Sequence, residues 1–110
     1  MPNSDRALVV LTTAGSEEEA NRLAEALVER RLAACVNIVP GVRSIYRWQG
    51  AINHAHEWLL VVKTLPDSYD ALAATIRELH SYETPEIVAF TLERGDPKYL
   101  AWLASSVTPP

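Results

Sequence analysis

The sequence predicts an α+β protein with a ferredoxin-like, split βαβ fold: an antiparallel sheet with both helices on one face and a long protruding hairpin. Strand and helix patterns follow one another in the order β-α-β-β-α-β, with a short C-terminal helix after them. Turn and capping residues separate these segments, and two strand segments are too long for a chain of 110 residues. We interpret residues 1–110 as a single domain of this type.

The first strand and helix have clear boundaries. We predict a strand at Arg6–Thr13, because Ala7–Leu11 is almost continuously apolar, as in a strand that is buried on both faces. Ser16 then begins a helix as its N-cap, and Glu19 three residues later completes a capping box. Apolar residues at helical spacing form one buried stripe: Ala20, Leu23, Ala24, Leu27 and Val28. We interpret the glutamates of the first turn as charges that stabilise the helix N-terminus.

Two long strand segments, Ala33–Trp48 and Ile52–Thr64, meet at a turn that contains Gly50 and form the hairpin. At roughly 3.3 Å per residue, the first would span about 50 Å if it were unbroken. A compact chain of this length has a radius of gyration of only about 13 Å. Pro40-Gly41 offers a bend, because proline lacks an N–H group and glycine accepts bulge geometry.

The hairpin tip is predicted to contact another copy of the chain. Exposed apolar side chains on a strand edge promote aggregation unless another surface covers them. The tip carries such side chains, and aromatic residues are enriched at subunit contacts. We therefore predict a homo-oligomer in which the following residues lie at the interface: Tyr46, Trp48 and Trp58.

The second half of the chain repeats the helix–strand order. Pro66-Asp67 opens the second helix, with Asp67 or Ser68 as its N-cap. Its apolar stripe consists of Tyr69, Leu72, Ala73, Ile76 and Leu79 or His80. Pro85 closes a loop, and Glu86–Leu92 alternates as a strand does. Asp96 and Pro97 then fit the N-cap and first position of the C-terminal helix.

The composition excludes several classes of function. Apolar residues make up 48% and charged residues 22%, which is typical of a folded globular protein. The net charge of −4 argues against nucleic acid and an anionic membrane surface as partners. A single cysteine fits a reducing compartment, and the first residues contain no apolar segment of the secretory type. We therefore expect a cytoplasmic protein.

Five segments in order resemble the divalent-cation tolerance protein CutA family. They are residues 33–41 (AACVNIVPG), 46–50 (YRWQG), 57–64 (EWLLVVKT), 80–86 (HSYETPE) and 99–103 (YLAWL). The resemblance implies a ferredoxin-like subunit in a tightly packed homotrimer, with long hairpins that extend across neighbouring subunits. It also implies a connection to tolerance of copper and other divalent metals. The family is similar in architecture to the PII signalling proteins, which bind small ligands between subunits.

The resemblance also implies a copper site, of which this chain keeps one ligand. The family's site uses a cysteine at the end of the first strand and two adjacent histidines before a Pro-Tyr loop. Thr12 takes the cysteine position, Leu79 the first histidine position and His80 the second. Protein metal sites normally assemble three or four ligands, so we expect a divalent metal such as copper to bind His80 only weakly. Alternatively, His80 simply stabilises a helix C-terminus.

The loop before the last strand is the strongest candidate for a functional site. It places two carboxylates and a phenol beside His80, which suits a hard cation such as Mg²⁺ or acid–base chemistry. A lysine near the end of the third strand is expected to lie close enough to pair with one carboxylate. The predicted ligand-binding cleft consists of Lys63, Tyr82, Glu83 and Glu86. A salt-bridged loop that locks a subunit interface is an equally good explanation.

Other candidates have ordinary explanations beside the functional ones. His54 and His56 share a strand face and could bind a metal, but a solvated position near the turn explains them better. Cys35 could be a reactive thiol or metal ligand, although a cysteine within an apolar strand is more often a small core residue.

These patterns lead to one functional hypothesis and two alternatives. The main hypothesis is a CutA-like homotrimer that binds a divalent metal ion or a small ligand weakly and is not an enzyme. A PII-like regulator would instead bind a small anionic metabolite between subunits. An enzyme would use His80, Tyr82 and Glu83 as acid and base.

Overall fold

A computed structural model of the chain describes residues 6–107. Four strands, three α-helices and one 3₁₀ turn follow one another in the predicted order. They are β1 (Leu8–Ala14), α1 (Glu17–Glu29), β2 (Cys35–Trp48), β3 (Ala51–Thr64), the 3₁₀ turn (Pro66–Ser68), α2 (Tyr69–Leu79), β4 (Val88–Thr91) and α3 (Pro97–Ser106). Across residues 6–107, no helix has both the length and the apolar character that are needed to cross a membrane.

The four strands form one antiparallel sheet in the order β2-β3-β1-β4. Helices α1 and α2 pack on one face of this sheet, as the ferredoxin-like prediction requires. The main core lies between them and consists of Val10, Ala14, Ala20, Leu23, Ala24, Leu27, Ala33, Leu60, Val62, Leu72 and Ile76. A smaller cluster beside α3 consists of Ala7, Ala34, Leu103 and Val107. The predicted fold class is therefore confirmed.

The hairpin bends and turns where the sequence predicts it. The pairing of β2 with β3 is irregular between Val39 and Val42, which places a bulge at Pro40-Gly41. The tip is a two-residue turn in which Gln49 and Gly50 both have positive φ, at 51° and 81°. Such a turn matches the twist of the flanking strands, and glycine adopts this conformation without strain.

The helix caps follow the sequence at α1 and α3 but not at α2. The Ser16 hydroxyl accepts a hydrogen bond from the Glu19 N–H at 3.1 Å, and Asp96 caps α3 by accepting from the backbone N–H groups of Lys98 and Tyr99. Ser68 precedes α2 but makes no capping bond, because the 3₁₀ turn brings the chain in with helical dihedral angles there. The predicted side-chain cap of α2 was therefore wrong.

One face of the sheet and the hairpin tip remain uncovered. The chain measures 45 × 25 × 23 Å, and the hairpin gives it this elongated shape. Strand β4 is shorter than predicted, and its large side chains Val88 and Phe90 are exposed on the face opposite α1 and α2. Ile45, Tyr46, Trp48 and Ile52 are exposed at the hairpin tip. These apolar surfaces resemble those that protein–protein contacts cover.

Candidate functional site

A cleft of about 640 Å³ lies between the hairpin tip and the loop that follows α2. The loop contributes the carboxylates Glu83 and Glu86 and the phenol of Tyr82, and β3 contributes Glu57. The aromatic rings of Tyr46 and Trp48 line the hairpin side. No lysine or arginine is among the lining residues of the described chain. The cleft is therefore acidic and partly aromatic.

The side chain of Tyr82 crosses from the loop to β3 and closes one end of the cleft. Its hydroxyl donates a hydrogen bond of 2.8 Å to Oε2 of Glu57, which is buried. Burial, this hydrogen bond and the negative charge of Glu57 all raise the pKa of Tyr82 well above its ordinary value. A side chain on Gly15 would place its Cβ 2.8 Å from the Tyr82 hydroxyl, so glycine leaves the space that the phenol occupies. Tyr82 therefore stays protonated and acts as a hydrogen-bond donor.

Glu19 ties the Tyr82 loop to the start of α1. Its carboxylate is buried and accepts hydrogen bonds from the backbone N–H of Ser81 at 2.8 Å and of Gly15 at 3.4 Å. Burial alone would raise the pKa of Glu19, but the hydrogen bonds from Ser81 and Gly15 outweigh it. The net result is a pKa below the ordinary value. The carboxylate thus fixes where the loop leaves α2.

Both ring nitrogens of His80 form hydrogen bonds in this network. Its Nε2 lies 2.7 Å from the carbonyl oxygen of Thr13, which can only accept, so Nε2 carries the proton and donates. Its Nδ1 accepts a hydrogen bond of 3.0 Å from the backbone N–H of Tyr82. Both ring nitrogens of this buried histidine therefore have partners within the chain. A metal ion that binds Nδ1 has to displace the Tyr82 N–H.

The structure brings three of the four predicted cleft residues together. Tyr82, Glu83 and Glu86 all line the cleft. Lys63 lies six residues beyond Glu57 along β3, a distance of about 20 Å in an extended strand. There it pairs with Cys35 across the strands and donates a hydrogen bond to Asn37. Lys63 therefore does not reach the cleft of its own chain.

The predicted interface residues occupy two different environments. Tyr46 and Trp48 are 46% and 44% exposed and lie on the hairpin face that borders the cleft. Trp58 is partly buried and packs against the main core. His54 and His56 are exposed near the hairpin tip, as expected. The interface position of Tyr46 and Trp48 stays a prediction, whereas Trp58 already packs against the core of its own chain.

Sequence reasoning missed two residues of the site, Glu19 and Glu57. Glu19 has the capping-box position, but its carboxylate binds Gly15 and Ser81 instead of serving only the helix N-terminus. Glu57 is the only carboxylate between Ala51 and Thr64, and a single acidic residue within an apolar strand could have indicated a functional position. The decisive partners of both residues lie far away in the sequence, so the local pattern does not reveal them.

The residues at the family's implied copper positions do not fit copper. The Thr12 hydroxyl is fully buried without a hydrogen-bond partner, Leu79 has no donor atom, and both nitrogens of His80 are engaged. Copper favours thiolate and imidazole ligands. These three positions offer only the imidazole of His80, whose two nitrogens are already hydrogen-bonded. Within residues 6–107, no group of three or more histidine, cysteine, aspartate or glutamate side chains is arranged to hold a metal ion.

Comparisons with known proteins agree on one family. The profile of the CutA1 divalent ion tolerance protein matches residues 8–106. A divalent-cation tolerance protein CutA from Thermus thermophilus is 54% identical over 95 residues, which are 86% of this chain and 92% of the relative. A solved structure of the divalent cation tolerance protein from Thermus thermophilus superposes with a TM-score of 0.91 and 50% identity, covering 93% of this chain and 99% of that one. The chloroplastic CutA 1 of Oryza sativa is 41% identical over 99 residues. These residues are 90% of this chain and 56% of the plant relative.

Proposed function

Because this chain belongs to the CutA1 divalent ion tolerance family, we propose that it is a homotrimer that binds a divalent metal ion weakly in the acidic cleft. The observation that carries the proposal is the lining of the cleft: Glu57, Glu83 and Glu86 border it without forming a compact ligand set, and no lysine or arginine of residues 6–107 lines it. An unneutralised set of carboxylates attracts cations. The cleft therefore suits the class of ligand that the family's name describes.

The donor atoms favour a hard cation over copper. Carboxylate and hydroxyl oxygens are the ligands that Mg²⁺, Ca²⁺ and Mn²⁺ prefer, whereas copper prefers imidazole and thiolate. Glu57 already accepts a hydrogen bond from Tyr82, and Glu83 and Glu86 are exposed. A cation held mainly by exposed carboxylates keeps most of its water shell, which makes binding weak.

Assembly into a homotrimer is supported by the uncovered apolar surfaces. The hairpin tip and the free face of the sheet expose large side chains, among them Trp48, Val88 and Phe90. Full burial of an exposed apolar side chain is worth roughly 1.5–3 kcal/mol, and these side chains, which are about half exposed, would each gain about half of that against a neighbour. The number three follows from the family resemblance, in which hairpins cross neighbouring subunits. A neighbouring hairpin or loop would then add to the walls of the cleft.

A small organic ligand is the second candidate for the same cleft. A volume of about 640 Å³ lies within the range of small-molecule sites, and the rings of Tyr46 and Trp48 offer stacking surfaces. The carboxylates favour a neutral or cationic ligand over the anionic metabolite of a PII-like regulator. An acid–base enzyme is less well supported, because His80 has no free ring nitrogen and Tyr82 holds its proton tightly. We propose binding without turnover.

Glu83→Gln should abolish the stabilisation by metal without affecting the fold. Glu83 is exposed and forms no ion pair in residues 6–107, so its charge contributes little to unfolding. We expect the melting temperature of the metal-free protein to stay within about 1 °C, while the rise caused by MgCl₂, MnCl₂ or CaCl₂ disappears. Differential scanning fluorimetry on wild type and variant, with light scattering for assembly, measures both.

Glu78→Gln is the matched control, because it removes an exposed carboxylate from α2 outside the cleft. The control should keep the full response to metal. A large loss of trimer stability in Glu83→Gln would instead identify Glu83 as an interface residue. If none of these divalent metal salts stabilises the wild-type protein, the proposed ligand class is wrong.

Copper binding should be weak and should weaken further in His80→Ala. A copper ion at His80 must displace the Tyr82 N–H from Nδ1, and the usual partner ligands are replaced by Thr12 and Leu79. Calorimetric titration with CuCl₂ measures the affinity, and a thermal melt reports the loss of the two hydrogen bonds of His80. One tight site per subunit that survives His80→Ala would contradict the assignment.

A further inference from the structure

The outer side of the hairpin tip carries four side chains that can be positively charged. The strand register places Arg43 opposite His56, Ile45 opposite His54, and Arg47 opposite Ile52. Because side chains alternate along a strand, these six residues share one face, and Tyr46 and Trp48 point to the other. We call this surface the basic face; it consists of Arg43, Ile45, Arg47, Ile52, His54 and His56. All six side chains are exposed.

The basic face has no counter-ion of its own. In the part of the chain that the structure describes, no ion pair or hydrogen bond involves the side chains of Arg43, Arg47, His54 or His56. The sequence contains no aspartate or glutamate between Glu29 and Glu57, although the whole chain has a net charge of −4. Glu57 points to the opposite face and binds Tyr82. Within one subunit, the positive charge of this face is therefore unpaired.

The geometry points to a small diphosphate-type anion as the ligand of the basic face. Side chains directly opposite on paired strands have Cβ atoms about 5 Å apart, and diagonal neighbours about 7–8 Å. His54 is diagonal to both Arg43 and Arg47, so long arginine side chains can converge on one anion above Ile45. One phosphoryl group would contact Arg43 and His56, and the other Arg47 and His54.

The charge arrangement favours an anion over other partners. The guanidinium fork matches phosphate oxygens in a bidentate manner. An imidazole N–H of His54 or His56 can add a further hydrogen bond to a phosphate oxygen.

A divalent metal on His54 and His56 is the competing interpretation. Two imidazoles on one strand face can bind a metal, and in contrast to His80 they have no hydrogen-bond partners in residues 6–107. Arg43 lies directly opposite His56, however, and Arg47 is diagonal to His54. Two guanidinium groups at these distances repel a metal cation bound to the histidines. The arginines thus separate the two interpretations, because they support an anion and oppose a metal.

Inorganic pyrophosphate is the probe for this proposal. We would titrate it calorimetrically at pH 8.0, with EDTA present and ionic strength held constant with sodium chloride. Wild type is compared with Arg43→Gln/Arg47→Gln and with His54→Gln/His56→Gln. The matched control is Arg30→Gln/Arg77→Gln, which removes two exposed arginines from outside the hairpin. Thermal melts confirm that each variant is folded, and light scattering reports its assembly.

We expect binding to wild type and to the control variant. The affinity should fall by at least about tenfold in the arginine variant, because charge-assisted hydrogen bonds to phosphate are the strong ones and this variant loses them. The histidine variant should bind more weakly than wild type but more tightly than the arginine variant, because it loses only the imidazole hydrogen bonds. The proposal is overturned if pyrophosphate does not bind, if the control variant loses as much affinity as the arginine variant, or if NiCl₂, titrated separately without EDTA, binds through His54 and His56 while pyrophosphate does not. None of these results depends on the acidic cleft.

Discussion

Glu19→Gln should lower the free energy of unfolding by about 2–3 kcal/mol, a large effect for a substitution that keeps the side-chain shape. The buried carboxylate accepts from the backbone N–H groups of Ser81 and Gly15. Glutamine offers one oxygen and turns an NH₂ group toward the second donor, which leaves that N–H without a partner. Hydrogen bonds to charged groups contribute about 1.5–3 kcal/mol, and a buried unsatisfied donor costs a similar amount. Urea unfolding followed by circular dichroism measures the change.

Glu18→Gln is the control for this experiment. Glu18 occupies the same first turn of α1 but is exposed, and it affects the helix only through the dipole. The control should lose no more than about 0.5 kcal/mol. Equal losses in both variants would mean that Glu19 acts only as a charge at the helix N-terminus, as the sequence alone predicted. Hydrogen exchange at Ser81 and Tyr82 offers a second readout, since the loop should exchange faster only in Glu19→Gln.

The effect of Glu19 should depend on pH with a defined sign. Its pKa is lower in the folded than in the unfolded chain, so protons bind the unfolded chain more strongly. The stabilisation is therefore fully present above the ordinary pKa of a glutamate and is lost as the pH falls through the folded value. The difference between wild type and Glu19→Gln should be constant near neutrality and should shrink below about pH 4. A difference that grows in acid would contradict the assignment.

Trp48→Ala should weaken assembly by about 2 kcal/mol or more per subunit contact. Trp48 is 44% exposed in one chain, beside other exposed apolar side chains at the hairpin tip. An aromatic side chain that becomes buried at an interface typically contributes this much, which corresponds to about 30-fold in the dissociation constant. Sedimentation velocity over a dilution series should show wild type as a stable trimer at micromolar concentration and the variant as partly dissociated.

Val28→Ala provides the comparison for assembly. Val28 has the same exposed fraction of 44%, but it lies on α1, away from the hairpin. This variant should assemble like wild type. A stable wild-type monomer at all concentrations would refute the proposed oligomer, and normal assembly of Trp48→Ala would place the contact elsewhere on the uncovered sheet face.

Local sequence patterns determined the elements and their order. The caps Ser16 and Asp96 and the turn at Gly50 act through hydrogen bonds and dihedral angles of residues within a few positions, so they can be read from short segments. Alternating and helical apolar patterns then led to the ferredoxin-like fold, and five ordered segments led to the family. The cap of α2 was mispredicted because a 3₁₀ turn, which the composition does not distinguish from a helix start, comes before it.

Only the tertiary structure decided how the site is built. The contacts of Glu19 with Ser81 and of Tyr82 with Glu57 join residues that are 62 and 25 positions apart, and their formation depends on the sheet order and on the path of the loop. The same packing places Lys63 beside Asn37 and gives both ring nitrogens of His80 hydrogen-bond partners. The sequence alone determined which side chains were available to bind a cation. Which of them face one space depends on long-range packing, because a side chain's partners are set by the whole fold and not by its neighbours in the chain.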